Sequence, residues 1–222
     1  DNNNPALERA RTPFDLTHSF KFNGFYELPI GRGKKFDLSN AVLNKMLGGW
    51  GVGGFMTWQS GAPFSVNSGR GTLNRGARSG VNTAVTGLNK GQLDDLLTFR
   101  QTGNGPFFVA ASAIGADGRG VGPDGAAPFN GQVFSNPIAG GLGTLQRRMF
   151  SGPQFWNTDL TIQKNTNITE RQSIEFRAEF FNLTNTPSFF IGDQDINSIQ
   201  FGRITSTASG RRIVQFGLYY RF

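Results

Sequence analysis

The residues best suited to chemistry are Glu175, Arg177 and Glu179, which alternate along one short segment. Two neighbouring carboxylates are the groups that general acid–base catalysis uses. Alternate residues of an extended strand stand about 7 Å apart on one face, and here the arginine separates the two acids. This spacing predicts a neutralised ladder of charges facing water and argues against catalysis.

Other reactive side chains are scarce. The chain of 222 residues has no cysteine and one histidine, His18. The lack of thiols excludes a disulfide framework and a thiolate metal site within this sequence. A single imidazole gives no second ligand or orienting partner, and His18 is expected to begin a strand. The sequence therefore predicts no enzyme activity, no cofactor and no bound metal.

The composition indicates what kind of elements carry these side chains. There are 31 glycines and 22 phenylalanines, and 17% of the residues are charged. Abundant Gly and Phe favour short strands joined by turns over long helices. The predicted fold class is all-β with antiparallel strands.

Five segments alternate between apolar and polar residues with the period of two that a two-faced strand requires. Each segment places large apolar side chains, many of them aromatic, on one face and polar side chains on the other. Phe25 is the exception in the first segment because it falls on the polar side. The predicted strands lie near residues 18–28, 50–60, 154–164, 172–182 and 212–222.

Such strands suit either a transmembrane β-barrel or a soluble antiparallel sandwich. Two features favour the barrel. Trp50, Trp58, Trp156 and Tyr220 lie toward strand ends, as interfacial aromatics do, and charged residues occupy the middle of the opposite face. The residues predicted to face a wet lumen are Lys21, Asn23, Glu27, Asp159, Gln163, Glu175, Arg177, Glu179, Gln215 and Arg221.

The connections between the strands differ in length as those of outer-membrane barrels do. Residues 165–169 form a short turn, 29–49 a modest connection, and 61–153 and 183–210 long ones. With the C-terminus in the periplasm, both long segments become extracellular loops. Leu93, Leu96 and Leu97 have helical spacing, which predicts a short helix within residues 89–100 that packs the large loop.

The formal net charge is +7, and basic residues gather in the large loop without forming a contiguous face. Nucleic-acid binding would need such a face with stacking aromatics, so no nucleic-acid partner is expected. Near an outer leaflet these arginines would contact lipopolysaccharide phosphates or an anionic ligand. They are Arg70, Arg75, Arg78, Arg147 and Arg148.

Several short runs together resemble the C-terminal end of TonB-dependent outer-membrane receptors of the Oar-like branch, which carry an N-terminal carboxypeptidase-regulatory-like domain. The runs are His18–Gly33, Gly48–Trp50, Ser60–Phe64, Phe176–Asn185, Phe201–Ile204 and Gln215–Phe222. They touch both ends of the chain and skip the middle of the large loop. Their order and spacing make the resemblance more specific than any single run.

The resemblance implies a 22-stranded barrel with a plug in its lumen, which takes up a scarce ligand with energy delivered through TonB. The plug, the TonB box and the regulatory-like domain have no counterpart in this sequence. Five strands cannot close a barrel, since about eight are the lower limit. Residues 1–222 are thus expected to be the C-terminal part of one larger barrel in the outer membrane of a Gram-negative bacterium.

The final strand also resembles the assembly signal of outer-membrane proteins. An edge strand ending in an aromatic residue can be recognised by strand addition, here by the barrel-insertion machinery. The alternative is an ordinary amphipathic last strand. The residues of the predicted signal are Val214, Phe216, Leu218, Tyr220 and Phe222.

Two rival interpretations stay open at this stage. A structural or adhesive outer-membrane barrel without active uptake would share every feature seen here, and upstream sequence would separate it from a transporter. A soluble β-sandwich binding module would instead place Phe20, Trp58, Phe176 and Phe216 around one dry centre. The orientation of those four side chains therefore distinguishes a membrane sheet from a sandwich.

Overall fold

The computed structural model describes residues 9–72 and 82–222. The chain divides into two compact units. One, here called the sheet unit, comprises residues 18–59, 155–188 and 208–222. The other, called the loop unit, comprises the described residues of 9–17, 60–154 and 189–207.

Nine strands occur in the described residues, and all of their pairings are antiparallel. Five of them form the sheet of the sheet unit in the order β1-β2-β7-β8-β9, and two short two-stranded pairs, β3-β6 and the hairpin β4-β5, lie in the loop unit. The strands are β1 (Ser19–Glu27), β2 (Trp50–Gln59), β3 (Pro63–Phe64), β4 (Arg100–Thr102), β5 (Gly105–Phe107), β6 (Phe150–Ser151), β7 (Phe155–Asn167), β8 (Ser173–Phe181) and β9 (Ile213–Arg221).

The prediction of an all-β chain with antiparallel strands is confirmed. Long strands occupy the segments where the sequence alternates, but β7 continues to Asn167 and moves the following turn to residues 168–172. Thr166 and Asn167 pair with Ile174 and Ser173, so these strands are longer than the alternation indicated. The five-stranded sheet of the described residues is open, with β1 and β9 at its edges.

Two short α-helices occur in the described part of the chain, α1 (Ala41–Leu47) and α2 (Lys90–Leu96). The predicted helix within residues 89–100 is present as α2, and Asn89 and Gln92 cap its start reciprocally. Leu93 of α2 is buried in the loop unit. No pattern in residues 29–49 predicted α1. Neither helix has the length and apolar character needed to span a bilayer.

The main hydrophobic core lies in the loop unit, where the sequence predicted two separate long loops. Five phenylalanines pack there in a chain of ring contacts with centroids 5.1 to 6.4 Å apart. They come from both connections, since Phe201 belongs to the second and the others to the first. These residues are Phe64, Phe108, Phe134, Phe150 and Phe201.

Backbone hydrogen bonds join the two connections within the loop unit. Ile196 N donates to Asn67 O at 2.9 Å, and Phe108 N donates to Gly202 O at 2.9 Å. Gly202 has a φ of 76°, a left-handed conformation that glycine adopts without strain. Segments with little regular structure are thus held by long-range bonds around a shared core.

Candidate functional site

The register of the sheet unit sorts its side chains into two faces. Phe20 pairs with Trp58, which pairs with Trp156, and the same parity continues through β8 to β9. Because alternate residues of a strand point to the same side, one face is almost wholly apolar. It carries Phe20, Phe22, Tyr26, Trp50, Val52, Met56, Trp58, Trp156, Leu160, Ile162, Ile174, Phe176, Ala178, Phe180, Val214, Phe216, Leu218 and Tyr220.

This apolar face does not enclose a dry centre. Phe20 is 51% exposed and Phe216 is 70% exposed, while Trp58 and Phe176 are half-buried by neighbours on the same sheet. Phe176 stacks on Phe216 across β8 and β9, with ring centroids 6.2 Å apart. None of the four belongs to the buried core. The arrangement expected of a soluble sandwich is therefore absent from the described sheet.

The opposite face brings together the residues predicted to line a lumen. Lys21, Asn23 and Glu27 on β1 share the parity of Asp159 and Gln163 on β7. The same face continues with Glu175, Arg177 and Glu179 on β8 and with Gln215 and Arg221 on β9. The structure thus collects on one side of one sheet residues that are as much as two hundred positions apart in sequence.

Glu175 is the centre of a charge cluster on this polar face. Its Oε1 accepts from Arg177 Nε at 2.5 Å, and its Oε2 accepts from Arg221 Nη2 at 2.5 Å. Only 2% of the Glu175 side chain is exposed, whereas Arg221 remains 64% exposed. The Arg177 guanidinium also lies 5.4 Å from the ring centre of Tyr219. A carboxylate held between two cations is an electrostatic clamp across β8 and β9.

Other polar-face residues hold the end of the sheet from which the long connections leave. Asp159 Oδ1 accepts from Asn157 Nδ2 at 3.0 Å and from the backbone N of Asn182 at 2.9 Å. Asn182 follows β8 with a φ of 49°, and its Nδ2 donates to Gly210 O at 2.8 Å. Asparagine tolerates this left-handed conformation better than most residues. Asp159 thus fixes the turn that ends β8 and is not merely a solvated wall residue.

The sequence pattern did not reveal the role of Phe25, which shares the polar face with other aromatic residues such as Phe55 and Tyr219. Its ring lies over Gly51 and Gly53 of the neighbouring strand, and a Cβ placed on Gly51 would stand 2.3 Å from Phe25 Cζ. An aromatic ring that covers cross-strand glycines protects their backbone and fills the gap left by missing side chains. The sequence contains both parts of this contact, the run Gly-Val-Gly-Gly at residues 51–54 and Phe25 among the polar positions of β1. Only the register of β1 and β2 shows that they lie opposite each other.

A basic residue also lies on the apolar face. Lys164 pairs in register with Trp50, and its Nζ is 5.0 Å from the ring centre of that tryptophan. The same Nζ donates to Gly48 O at 2.7 Å. Because the side chain reaches toward the end of the sheet, its charge leaves the apolar band, as expected of a snorkelling lysine.

The residues of the predicted assembly signal lie on or just beyond β9, an edge strand of the described sheet. Val214, Phe216, Leu218 and Tyr220 are all exposed on the apolar face, and Phe222 is 94% exposed. Tyr220 and Phe222 stack with ring centroids 5.8 Å apart. This geometry leaves the outer edge of β9 available for strand pairing.

Three of the five loop arginines lie in the described residues, and Arg70 and Arg148 have different partners. Arg70 Nη1 forms an ion pair with Asp124 Oδ1 at 2.7 Å, and Arg147 is half-buried. Arg148 donates from Nη1 to the backbone O of Arg11 at 3.3 Å. Arg75 and Arg78 lie outside the described residues. The contact of this group with an anionic ligand or with lipopolysaccharide stays a prediction.

A family model described as an outer membrane beta barrel domain matches residues 1–215, which is nearly the whole chain. Neither the curated proteins nor the solved structures gave a match to this chain.

Proposed function

This chain belongs to the outer membrane β-barrel domain family, and we propose that it forms the C-terminal strands of a TonB-dependent transporter of the Oar-like branch. Its location is the outer membrane of a Gram-negative bacterium. In the proposed function the polar face of the sheet lines the lumen and the loop unit shapes the external entrance for a scarce ligand.

The observation that carries the proposal is the division of one open sheet into an exposed aromatic face and a charged face. Large side chains that this face carries on the edge strands, among them Phe22, Phe216 and Leu218, are more than half exposed. Burying such residues in hydrocarbon is favourable, and a polar face on the other side requires water or polar partners. A barrel wall provides both environments on opposite sides of a single sheet.

The two edges of the sheet support a segment of a larger wall. Among the described residues, β1 and β9 each pair with one neighbour only. Unpaired backbone groups within a bilayer are costly, so membrane sheets close on themselves. Closure needs about eight strands or more, so we infer that further strands outside this sheet pair with β1 and β9.

The order of the connections supports the orientation. The short turn at residues 168–172 and the C-terminus lie at one end of the strands, and both long connections leave from the other. With the short-turn end in the periplasm, both long connections leave the strands on the extracellular side. Residues 9–17, which precede β1, belong to the loop unit as well and enter the sheet from the same end.

The transport part of the proposal rests on the resemblance of the sequence runs to TonB-dependent receptors. In that interpretation a plug and a TonB box precede this chain, and TonB is reached through them. The neutralised Glu175 cluster is consistent with a wall that faces a plug, because it offers paired charges and leaves few uncompensated.

The test uses the full-length gene product. Outer membranes are isolated, and the protein is extracted in detergent and run on gels with and without boiling, since folded barrels migrate differently from unfolded ones. The extracted protein is then mixed with the purified periplasmic domain of TonB, and binding is measured by pull-down. A variant with its proposed TonB box deleted is the control.

Each outcome separates one interpretation from the others. A heat-modifiable membrane protein that binds TonB through the box supports the transporter. A heat-modifiable protein that ignores TonB would identify the structural or adhesive barrel instead. A protein that stays folded and monomeric without detergent would overturn the membrane interpretation.

A further inference from the structure

We propose that α1 and the connection that carries it form an interfacial anchor, which inserts into the phospholipid headgroup region at the short-turn end of the sheet. This inference rests on the proposed membrane-spanning wall. In that orientation the anchor occupies the periplasmic leaflet of the outer membrane.

The apolar side chains of α1 are exposed and do not pack against the rest of the protein. Val42, Leu43, Met46 and Leu47 share one side of the helix because they follow i, i+1, i+4 and i+5 spacing. Their exposed fractions are 66%, 46%, 61% and 50%, and α1 has no buried residue. A short helix that presents an apolar stripe to its surroundings is typical of one lying in a membrane interface.

The inner side of α1 is tied firmly to the protein. Asn44 Oδ1 accepts from the backbone N of Arg32 at 2.7 Å. Asn40 caps the start of α1 by accepting from the backbone N of Val42 at 2.9 Å. Gly49 then lies so close to β7 that a Cβ on it would stand 2.1 Å from Asn165 O. The helix therefore holds its apolar stripe outward in a defined orientation.

Contacts at the end of α1 place it beside the apolar face of the sheet. Trp50 Nε1 donates to Met46 O at 3.1 Å, and Lys164 Nζ donates to Gly48 O at 2.7 Å. Both donors come from residues that share the register of the apolar face. Trp and Lys at the end of an apolar band mark the level where hydrocarbon gives way to headgroups. The apolar stripe of α1 is thus continuous with the proposed lipid-facing surface.

The charges around α1 favour phospholipid as the occupant. Lys45 in the last turn of α1 and Lys35 in the connection are both exposed. The basic residues Arg32 and Lys34 are nearby, and Lys34 pairs with Glu27 at 2.8 Å. Basic side chains next to an apolar stripe match anionic headgroups above acyl chains. A periplasmic protein docking on this stripe is the competing occupant, and the test below distinguishes it.

The test measures the depth of single labelled residues in the full-length protein in vesicles of phosphatidylethanolamine and phosphatidylglycerol. This chain contains no cysteine, so once any cysteine elsewhere in the full-length protein is replaced by Ser, V42C, M46C, L218C and I138C each give one thiol for a nitroxide spin label. Accessibility to a water-soluble nickel chelate and to oxygen then reports immersion. Ile138, an apolar residue of the loop unit that is 80% exposed, is the aqueous control, and Leu218 on β9 is the hydrocarbon control.

We expect nickel accessibility at positions 42 and 46 to be about threefold or more below that at position 138, with position 218 the most protected. Protection at 218 with full accessibility at 42 and 46 would overturn the anchor and leave the proposed function standing. Full accessibility at 218 would overturn the membrane wall and the anchor together. Protection of 42 and 46 that requires an added periplasmic extract would replace lipid with a protein partner.

Discussion

Phenylalanine has opposite environments in the two units of this protein. In the loop unit Phe201 is fully buried and Phe134 is 1% exposed, each packed edge to face against another ring. In the sheet unit Phe216 is 70% exposed, although it belongs to an equally apolar surface. The apolar side chains of the loop unit are buried by one another, whereas those on the sheet face the surroundings of the protein. The loop unit thus has the buried core of a protein domain in water, whereas the exposed apolar face of the sheet is suited to lipid.

The largest effect should come from the core of the loop unit. Replacing Phe201 by Ala removes a ring that contacts Phe108 and Phe134, and the cavity should cost about 3–5 kcal/mol of unfolding free energy. Chemical denaturation followed by hydrogen exchange at Leu93 and Val109 would measure the loss. Ile199→Ala is the matched control, because Ile199 is 62% exposed and should change stability by under about 0.5 kcal/mol. Equal losses would contradict a core centred on Phe201.

The next largest effect should come from a charge placed on the apolar face of the sheet, which tests whether that face contacts lipid. Phe216→Arg puts a charge on the apolar face and should destabilise the protein in a bilayer by about 2–4 kcal/mol if the residue lies near the midplane. Gln215→Arg, one residue away on the polar face, should cost far less. Folding yield into vesicles, measured by the heat-dependent gel shift, checks both variants. A larger loss for Gln215→Arg would reverse the assignment of the two faces.

A smaller effect is expected from the charge clamp on β8 and β9. Glu175→Gln removes the charge that both Arg177 and Arg221 neutralise, and solvent exposure of Arg221 reduces the cost to about 1–2 kcal/mol. Denaturation of the refolded protein at low and high salt measures the loss and its screening. Glu179→Gln is the control, since Glu179 accepts a hydrogen bond from the uncharged Gln215. Identical results for both variants would show that the clamp adds nothing to stability.

The smallest effect concerns the glycines of β2. Gly51→Ala would place a methyl group 2.3 Å from the Phe25 ring, which is 55% exposed and can swing aside. We expect a loss of about 1 kcal/mol, at the lower end of overpacking costs. Gly54→Ala should be tolerated, because its Cβ would meet only Asp159 O at 3.7 Å. Comparison of the two unfolding midpoints checks this, and greater damage from Gly54→Ala would remove the special role of Phe25.

The sheet was predictable because its pattern is local. Successive residues of one strand point to opposite faces of the sheet, whatever strands lie beside it. Phe176 and Arg177 could therefore be assigned to opposite faces without knowledge of their partners. The contacts on the polar face were not predictable in this way. Glu175 was assigned to a ladder with Arg177, but its second partner, Arg221, depends on the register between β8 and β9.

The loop unit escaped prediction for a different reason. Its core residues, such as Val66, Phe108 and Phe201, follow no period of two or 3.6, and turns separate them. Only α2 had a recognisable periodicity, and it is present. Side chains brought together by irregular backbone leave no repeating trace in the sequence. The exposure of the apolar stripe of α1 could not be predicted either, because four apolar residues within a seven-residue helix are compatible with a buried helix as well as with an interfacial one.

The shared core of the two long connections sets an order for biogenesis. Ile196 and Phe201 must meet Phe64 and Phe108 before the loop unit is complete, and they come from opposite sides of the hairpin formed by β7 and β8. In the proposed orientation both connections have to be translocated first. Completion of this core would then be one of the last steps in the assembly of the chain.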